Sequence, residues 1–136
     1  MVAKAQQPQH QQNRFDPQKF QMALESYITR EAKLTQKEAA AFFPLYKKLQ
    51  SEQRALFQKG SKARWVKPAT EQECRSAIEE HDNIDLQIKK LQKQDHQKFL
   101  KVVSASKLYD ILKAEDRFHK QSIRKFTERV GKPHRK

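Results

Sequence analysis

The feature that most constrains the fold is the stretch from Thr70 to Val103, 34 residues that contain neither glycine nor proline. Apolar and small residues recur along it every three or four positions, the spacing that gathers side chains on one face of an α-helix. Such a helix would be about 50 Å long, whereas a compact domain of this chain length has a radius of gyration of about 14 Å. The stretch therefore predicts an elongated helical hairpin. Its predicted face comprises Cys74, Ala77, Ile78, His81, Ile84, Ile88, Leu91, Asp95, Phe99 and Val102.

The composition favours an all-α fold. With two glycines and five prolines among 136 residues, of which 33% are charged, the chain has few turn-forming residues for a β-rich domain. Its hydrophobic fraction is 36%, which favours narrow apolar stripes along extended helices. The single cysteine, Cys74, excludes an intramolecular disulfide framework. We expect Cys74 to be a small buried apolar group, with an intermolecular disulfide as the alternative.

Capping signals divide the chain into about four helices. Asp16 followed by Pro17 is typical of a helix start, and the first helix is predicted to run to about Lys33. Thr35 and Glu38 then form a capping box, in which the threonine hydroxyl and the glutamate carboxylate each accept a hydrogen bond from a free amide of the first turn. This box predicts the start of the second helix.

Pro44 lies inside the second predicted helix. It removes one backbone hydrogen bond, but the apolar pattern continues beyond it, so we expect a bend rather than an end. Phe42, Phe43 and Tyr46 flank the proline and are predicted to form a core there. The range 60–69 is predicted to be a turn or loop, and its Trp65 is interpreted either as an exposed contact or as a lid on the end of the hairpin.

Two further caps complete the helix pattern. Thr70 and Glu73 form a second capping box, which opens the third helix. Ser104 or Ser106 caps the fourth helix, which is predicted to end at Gly131. The apolar stripe of the fourth helix comprises Leu108, Ile111, Leu112, Phe118, Ile123 and Phe126.

The domain organisation is predicted to have three parts. Residues 1–14 are a glutamine-rich, disordered leader, residues 15–130 are the helical domain, and residues 131–136 are a basic tail. Ala3 and Ala5 before the glutamines are typical of a signal-peptidase site, so we expect an exported protein whose signal peptide has been removed. No run of 18 apolar residues occurs, and no transmembrane helix is predicted.

The formal net charge of +13 is concentrated in two regions. Seven basic residues and one acid lie between Pro44 and Pro68, and eight basic residues and one acid lie between Arg117 and Lys136. Such positive fields attract acidic polypeptide, nucleic acid or anionic membrane. The predicted binding residues are Lys47, Lys48, Arg54, Lys59, Lys62, Arg64, Trp65, Arg117, Lys120 and Arg124.

Residues 34–46, LTQKEAAAFFPLY, carry a resemblance to a known family. Their helix start is similar to the Leu-Thr-x-x-Gln signature of the Spy and CpxP family of periplasmic proteins, and a degenerate second copy begins at Val103, where lysine replaces the glutamine. The resemblance covers roughly residues 15–129. The motif residues are Leu34, Thr35, Glu38, Pro44, Ser104 and Lys107.

This resemblance implies a thin, curved homodimer of four-helix chains in the Gram-negative periplasm. It also implies an ATP-independent chaperone or stress-linked adaptor that holds unfolded or acidic polypeptides on a basic, partly apolar surface. Such a protein uses no cofactor and has no catalytic site. We expect two copies to pair along the third helix, although the second helix of the same chain could also cover its stripe.

Two alternatives accompany this interpretation. The basic surface alone also fits a nucleic-acid-binding protein, although no zinc-finger or helix-turn-helix signature can be placed. A metal-responsive protein is the other alternative, because Glu115 with His119, and His81 with Asp85, each lie one helical turn apart. Each pair offers only two ligands, so no specific metal site is predicted. No serine, histidine and carboxylate arrangement indicates an enzyme.

Overall fold

The computed structural model describes residues 15–131, and within this range the side chains of residues 61–65, 126 and 128–131 fall outside the description. The chain forms α1 (Pro17–Glu31), α2 (Gln36–Trp65), α3 (Glu71–Phe99) and α4 (Ala105–Gly131). No strand occurs in residues 15–131, which confirms the predicted all-α fold of about four helices. The predicted leader at 1–14 and residues 132–136 of the predicted tail lie outside the described residues. None of these helices has the length and apolar character needed to cross a membrane.

The four helices form two compact units. One unit pairs α1 with α4 and is called the α1/α4 unit below. The other is the hairpin of α2 and α3, Gln36–Ala105, called the α2/α3 unit. The two predicted basic regions therefore belong to different units, because one lies on α2 and the other on α4.

The start of α1 is capped as predicted. The Asp16 carboxylate accepts hydrogen bonds from the amides of Gln18 at 3.1 Å and Lys19 at 3.3 Å, and Pro17 occupies the first helical position. Leu24 and Ile28 are the buried residues of this short helix. Because α1 buries only this narrow stripe, the stability of the helix depends on packing within the α1/α4 unit rather than on helix propensity alone.

The end of α1 is a Schellman turn built around a lysine. The amide of Lys33 donates to the Arg30 carbonyl at 3.3 Å, and the amide of Leu34 donates to the Thr29 carbonyl at 3.0 Å. This pattern requires a left-handed residue at the first position after the cap, and Lys33 has a φ of 53°. Glycine usually takes this position, so the sequence pattern gave no sign of the turn and α1 ends at Glu31 rather than near Lys33.

Helix α2 passes through Pro44 and continues to Trp65, so the predicted loop at 60–69 is wrong for residues 60–65. Gly60 does not break the helix but is buried in it. A Cβ atom at this position would lie 3.2 Å from Cδ1 of Ile84 on α3. The glycine therefore permits a close approach of the two helices, which the sequence pattern cannot distinguish from a turn.

An aromatic cluster lies in the core of the α2/α3 unit. The Phe42 ring centroid lies 5.1 Å from that of Phe43, 5.3 Å from that of Tyr46 and 4.9 Å from that of Phe99 on α3. All four side chains are buried, which confirms the predicted core around Pro44. Edge-to-face and stacked aromatic pairs at these separations each stabilise a core by about 1 kcal/mol beyond area burial.

Helix α3 begins with the predicted capping box. The Glu73 amide donates to the Thr70 hydroxyl at 3.1 Å, and the Thr70 amide donates to the Glu73 carboxylate at 3.3 Å. The helix ends at Phe99, four residues before the predicted end at Val103, because the amides of residues 101–103 bond the closing turn instead. Ile78, placed on the buried stripe by its spacing, is 62% exposed, so that assignment is wrong.

Helix α4 contacts α1 through the half-buried Phe118, whose ring lies 5.4 Å from that of Tyr27, and the predicted stripe residues Leu108 and Ile111 are buried. The prediction for Ile123 is wrong, because its side chain is 65% exposed, whereas Leu112 lies at the edge of the stripe and is 36% exposed. Around the helix, Leu112 lies about 100° and Ile123 about 120° from Ile111. The predicted stripe residue Phe126 lies outside the described side chains.

Candidate polypeptide-binding surfaces

Apart from Pro44, which lies inside α2, the motif residues lie at or beside helix starts, where the sequence predicted them. Thr35 immediately precedes α2, and Glu38 lies in its first turn and is half-buried. Leu34 is buried and is the second residue after the α1 cap, the apolar position of a Schellman turn. Ser104 immediately precedes α4, which places it rather than Ser106 at the cap position.

Lys107 makes a contact that the sequence did not predict. Its Nζ donates a hydrogen bond at 3.0 Å to the backbone carbonyl of Lys33, in the left-handed turn that ends α1. In the predicted second motif, Lys107 replaces a glutamine and was expected only to lose a return hydrogen bond. Instead it supports the connection that leads into the first motif. The partners are 74 residues apart, so no local pattern could have shown this contact.

The basic region of α2 is exposed. Lys47, Lys48, Arg54 and Lys59 all reach solvent along the helix, with Glu52 as the acid among them. Burying these positions would cost desolvation without a paired acid, which is one reason that the hydrophobic face of α2 is narrow. Val66 and Lys67, just beyond the end of α2, are also exposed.

Phe57 lies beside this basic row. It follows Arg54 by three residues, and on a helix residues three apart are surface neighbours. Its side chain is 51% exposed, although most aromatic residues in this unit are buried. Arg54 and Phe57 therefore place a cation and an aromatic ring together at a surface that water reaches. The other predicted contacts of this region, Lys62, Arg64 and Trp65, lie outside the described side chains.

The basic residues of α4 have a different environment. Arg117 lies 3.6 Å from the Glu31 carboxylate on α1, and Lys120 lies 3.1 Å from the Asp116 carboxylate one turn earlier. Arg124 is exposed. Exposed ion pairs of this kind contribute little stability and open readily to a stronger anionic partner. The two cations are therefore held in place without being withdrawn from the surface.

The other candidate site residues do not assemble into a metal centre. Among the side chains that the structure describes, no group of three or more His, Cys, Asp or Glu residues is positioned to hold a metal ion. His81 Nδ1 lies 3.9 Å from Asp85 Oδ2, a pair that is ionic only when the histidine is protonated. The Cys74 thiol is half-buried, 3.6 Å from the Pro68 carbonyl, so it is less buried than predicted.

No protein-family model, curated protein or solved structure matches this chain. The resemblance to the Spy and CpxP family therefore stays a prediction that depends on the motif at residues 34–46.

Proposed function

We propose that the protein is an ATP-independent periplasmic chaperone that holds unfolded or acidic polypeptides on the surface of α2. The observation that carries the proposal is the exposed ring of Phe57 beside the exposed basic row of Lys47, Arg54 and Lys59. Cations attract acidic chains over several ångströms, and an exposed apolar ring then contacts many sequences without requiring one conformation. A stress-linked role is part of the same proposal.

An aggregation assay tests this function. Substoichiometric to equimolar protein should delay light scattering by a chemically reduced, aggregating reporter enzyme in the absence of nucleotide. Added salt should weaken the effect, because exposed charges are screened beyond about 8 Å at physiological ionic strength. Tight, salt-sensitive DNA binding with no effect on aggregation would instead support the nucleic-acid alternative.

Two sets of variants locate the surface. Arg54→Gln with Lys59→Gln, and separately Phe57→Ser, should each reduce the delay of aggregation several-fold. The matched control is Lys19→Gln with Lys101→Gln, which removes the same charge from exposed positions outside α2 and outside the two basic regions. Equal loss in the control and in the α2 variants would show that net charge alone acts, and would refute a surface on α2.

We further propose that a second copy of the chain pairs with this one along α3. Leu86 lies near the middle of α3 and is 66% exposed, on the side of the helix opposite the buried Ile84. Asp82 and Glu79 precede it on the same side, and Lys90 and Lys93 follow it. These four groups make no ion pair within the part of the chain that the structure describes.

An antiparallel pair of α3 helices centred on Leu86 would satisfy all four charges. A two-fold axis at Leu86 places Asp82 opposite Lys90 of the partner and Glu79 opposite Lys93 of the partner, and the same contacts occur twice. The pattern is self-complementary only in this antiparallel register. A parallel pair would place like charges together, which is unfavourable.

Charge reversal tests this pairing by sedimentation. Asp82→Lys alone and Lys90→Asp alone should each shift the population from dimer toward monomer, because each places like charges across the axis. The double variant Asp82→Lys/Lys90→Asp should restore the dimer. A monomeric unmodified protein, or a double variant no better than the single ones, would refute the proposed register.

A further inference from the structure

The outer surface of α4 carries two parallel stripes of side chains. Because 3.6 residues complete a turn, Tyr109, Leu112 and Ile123 lie within about 60° of one another around the helix. They are on the opposite side from the buried Ile111 and Ala114. This apolar stripe extends over about 21 Å, the rise of 14 residues.

The second stripe is basic and lies directly beside the first. Its members follow one another at spacings of four, three and four residues, which also keeps them within about 60°. They are exposed, and the one acid on the apolar stripe, Asp116, is paired with one of them at 3.1 Å. The basic stripe comprises Lys113, Arg117, Lys120 and Arg124.

This surface exposes the side chains of Tyr109 and Ile123, whereas the basic row of α2 borders the single exposed ring of Phe57. Tyr109 is 67% exposed and lies beneath the Lys113 ammonium group, whose Nζ is 6.0 Å from the ring centroid. Its ring is amphipathic, with an apolar body and a hydroxyl at the tip, a property that favours the boundary between acyl chains and water. Together with Ile123 and the partly exposed Leu112 it forms an apolar stripe, interrupted by the ion-paired Asp116, that does not enclose a pocket.

We propose that this outer face of α4 docks on an anionic phospholipid bilayer. A helix is convex, so a protein partner would need a concave, acidic surface of matching shape, whereas a bilayer meets a convex face without one. Shallow insertion of the apolar stripe leaves the adjacent lysine and arginine side chains at the depth of the phosphate groups, which their long stems can reach. The α4 cations bind the headgroups, and the α2 surface stays available for polypeptide.

Flotation with phospholipid vesicles tests the proposal on the full chain. The protein should float with phosphatidylcholine vesicles that contain phosphatidylglycerol, should remain below with pure phosphatidylcholine vesicles, and should be released by high salt. Lys113→Gln with Arg124→Gln should weaken binding about tenfold or more, since each cation near an anionic membrane contributes substantially to affinity. Tyr109→Ser with Ile123→Ser should also weaken binding, because it removes the inserted stripe.

The control removes two cations from the other unit. Lys48→Gln with Arg54→Gln should leave vesicle binding within about twofold of the unmodified protein if docking uses α4. Equal loss from both charge variants, equal binding to uncharged vesicles, or full binding by Tyr109→Ser/Ile123→Ser would overturn the proposal. A Lys113→Gln/Arg124→Gln variant that binds vesicles fully but no longer delays aggregation would also overturn it and would assign the face to polypeptide. Circular dichroism of every variant confirms that the helices are retained.

Discussion

At the scale of single residues, Lys33 is a non-glycine residue in the left-handed backbone conformation that favours glycine. A left-handed conformation costs a non-glycine residue about 1 kcal/mol, and here the cost is offset by the two Schellman hydrogen bonds and by the Lys107 contact. All of these interactions involve main-chain atoms of the turn. The turn is therefore stabilised through its main chain and not through the side chain of Lys33.

We predict that Lys33→Gly raises the free energy of unfolding by about 0.5–1 kcal/mol, because glycine adopts positive φ without steric cost. Urea denaturation measures the change. The same substitution at Lys48, an exposed position within α2, should lower the free energy by about 1 kcal/mol. Equal effects at the two sites would show that the turn is not left-handed.

Gly60 is a second residue whose role is set by a neighbour in space. Gly60→Ala adds helix propensity worth about 1 kcal/mol, but its Cβ atom would lie 3.2 Å from Ile84 Cδ1. We predict a net change smaller than this gain in the unmodified background. In an Ile84→Val background, which lacks Cδ1, the same substitution should be stabilising by about 1 kcal/mol.

A double-mutant cycle measured by urea denaturation gives this coupling directly. Strict additivity of Gly60→Ala and Ile84→Val would contradict the close approach of α2 and α3 at this point.

At the scale of elements, local signals were predictable and non-local ones were not. The caps at Asp16 and Thr70 follow from side chains that bond amides two or three residues away, so the sequence contains the whole interaction. The role of Gly60, a close helix contact rather than a turn, depends on Ile84, which is 24 residues away. The turn that follows Phe99 contains no glycine or proline that would have indicated the end of α3. For the same reason the spacing rule misplaced Ile78, whose burial depends on what the opposite helix covers.

The aromatic residues of α2 provide a matched pair for testing which face is core. Phe42→Ala should lower the free energy of unfolding by about 3–5 kcal/mol, because Phe42 is fully buried among three other rings. Phe57→Ala in the same helix should cost less than about 1 kcal/mol, since half of that side chain is already in water. Thermal and urea unfolding followed by circular dichroism would show a reversed order if Phe57 were the structural residue.

Substitution of Pro44 tests whether the bend predicted at this position of α2 matters to function. Pro44→Ala restores a backbone amide that can donate to the Ala40 carbonyl, so we predict a higher helix signal in circular dichroism. Straightening would shift Phe43 and Tyr46, and we predict weaker suppression of aggregation as a result. Ser51→Ala is the control, because it raises helix propensity at an exposed position of α2 without removing a cation or changing the backbone hydrogen bonds. Full activity in Pro44→Ala would show that the proline is incidental.

At the scale of the whole molecule, composition and periodicity were sufficient to predict the all-α fold class. Long stretches of helical periodicity with few glycines and prolines do not favour strands and turns. The two predicted basic regions were also visible in the sequence, since charge density depends on order along the chain alone. That Phe57, Tyr109 and Ile123 are exposed could not be predicted, because each has the spacing or the residue type of a core position. Identifying the candidate sites therefore required knowing which side chains are buried in each unit.

Three surfaces of the protein are assigned different partners. On α2 a cationic row borders one exposed ring, on α3 two acids precede Leu86 and two bases follow it, and on α4 an apolar stripe accompanies the bases. These arrangements favour, respectively, an unfolded polypeptide, a second copy of the chain and an anionic membrane. Variants confined to one surface should consequently change one activity and leave the other two intact.

Equilibrium binding to an unfolded chain tests the central claim most directly. A fluorescently labelled, reduced and carboxymethylated acidic polypeptide, which cannot fold, is titrated with the protein and followed by anisotropy at low and high salt. We predict saturable binding without nucleotide, weakened by salt and by Arg54→Gln/Lys59→Gln and Phe57→Ser, but retained by Lys19→Gln/Lys101→Gln. No binding, or binding that neither salt nor the α2 variants change, would contradict it.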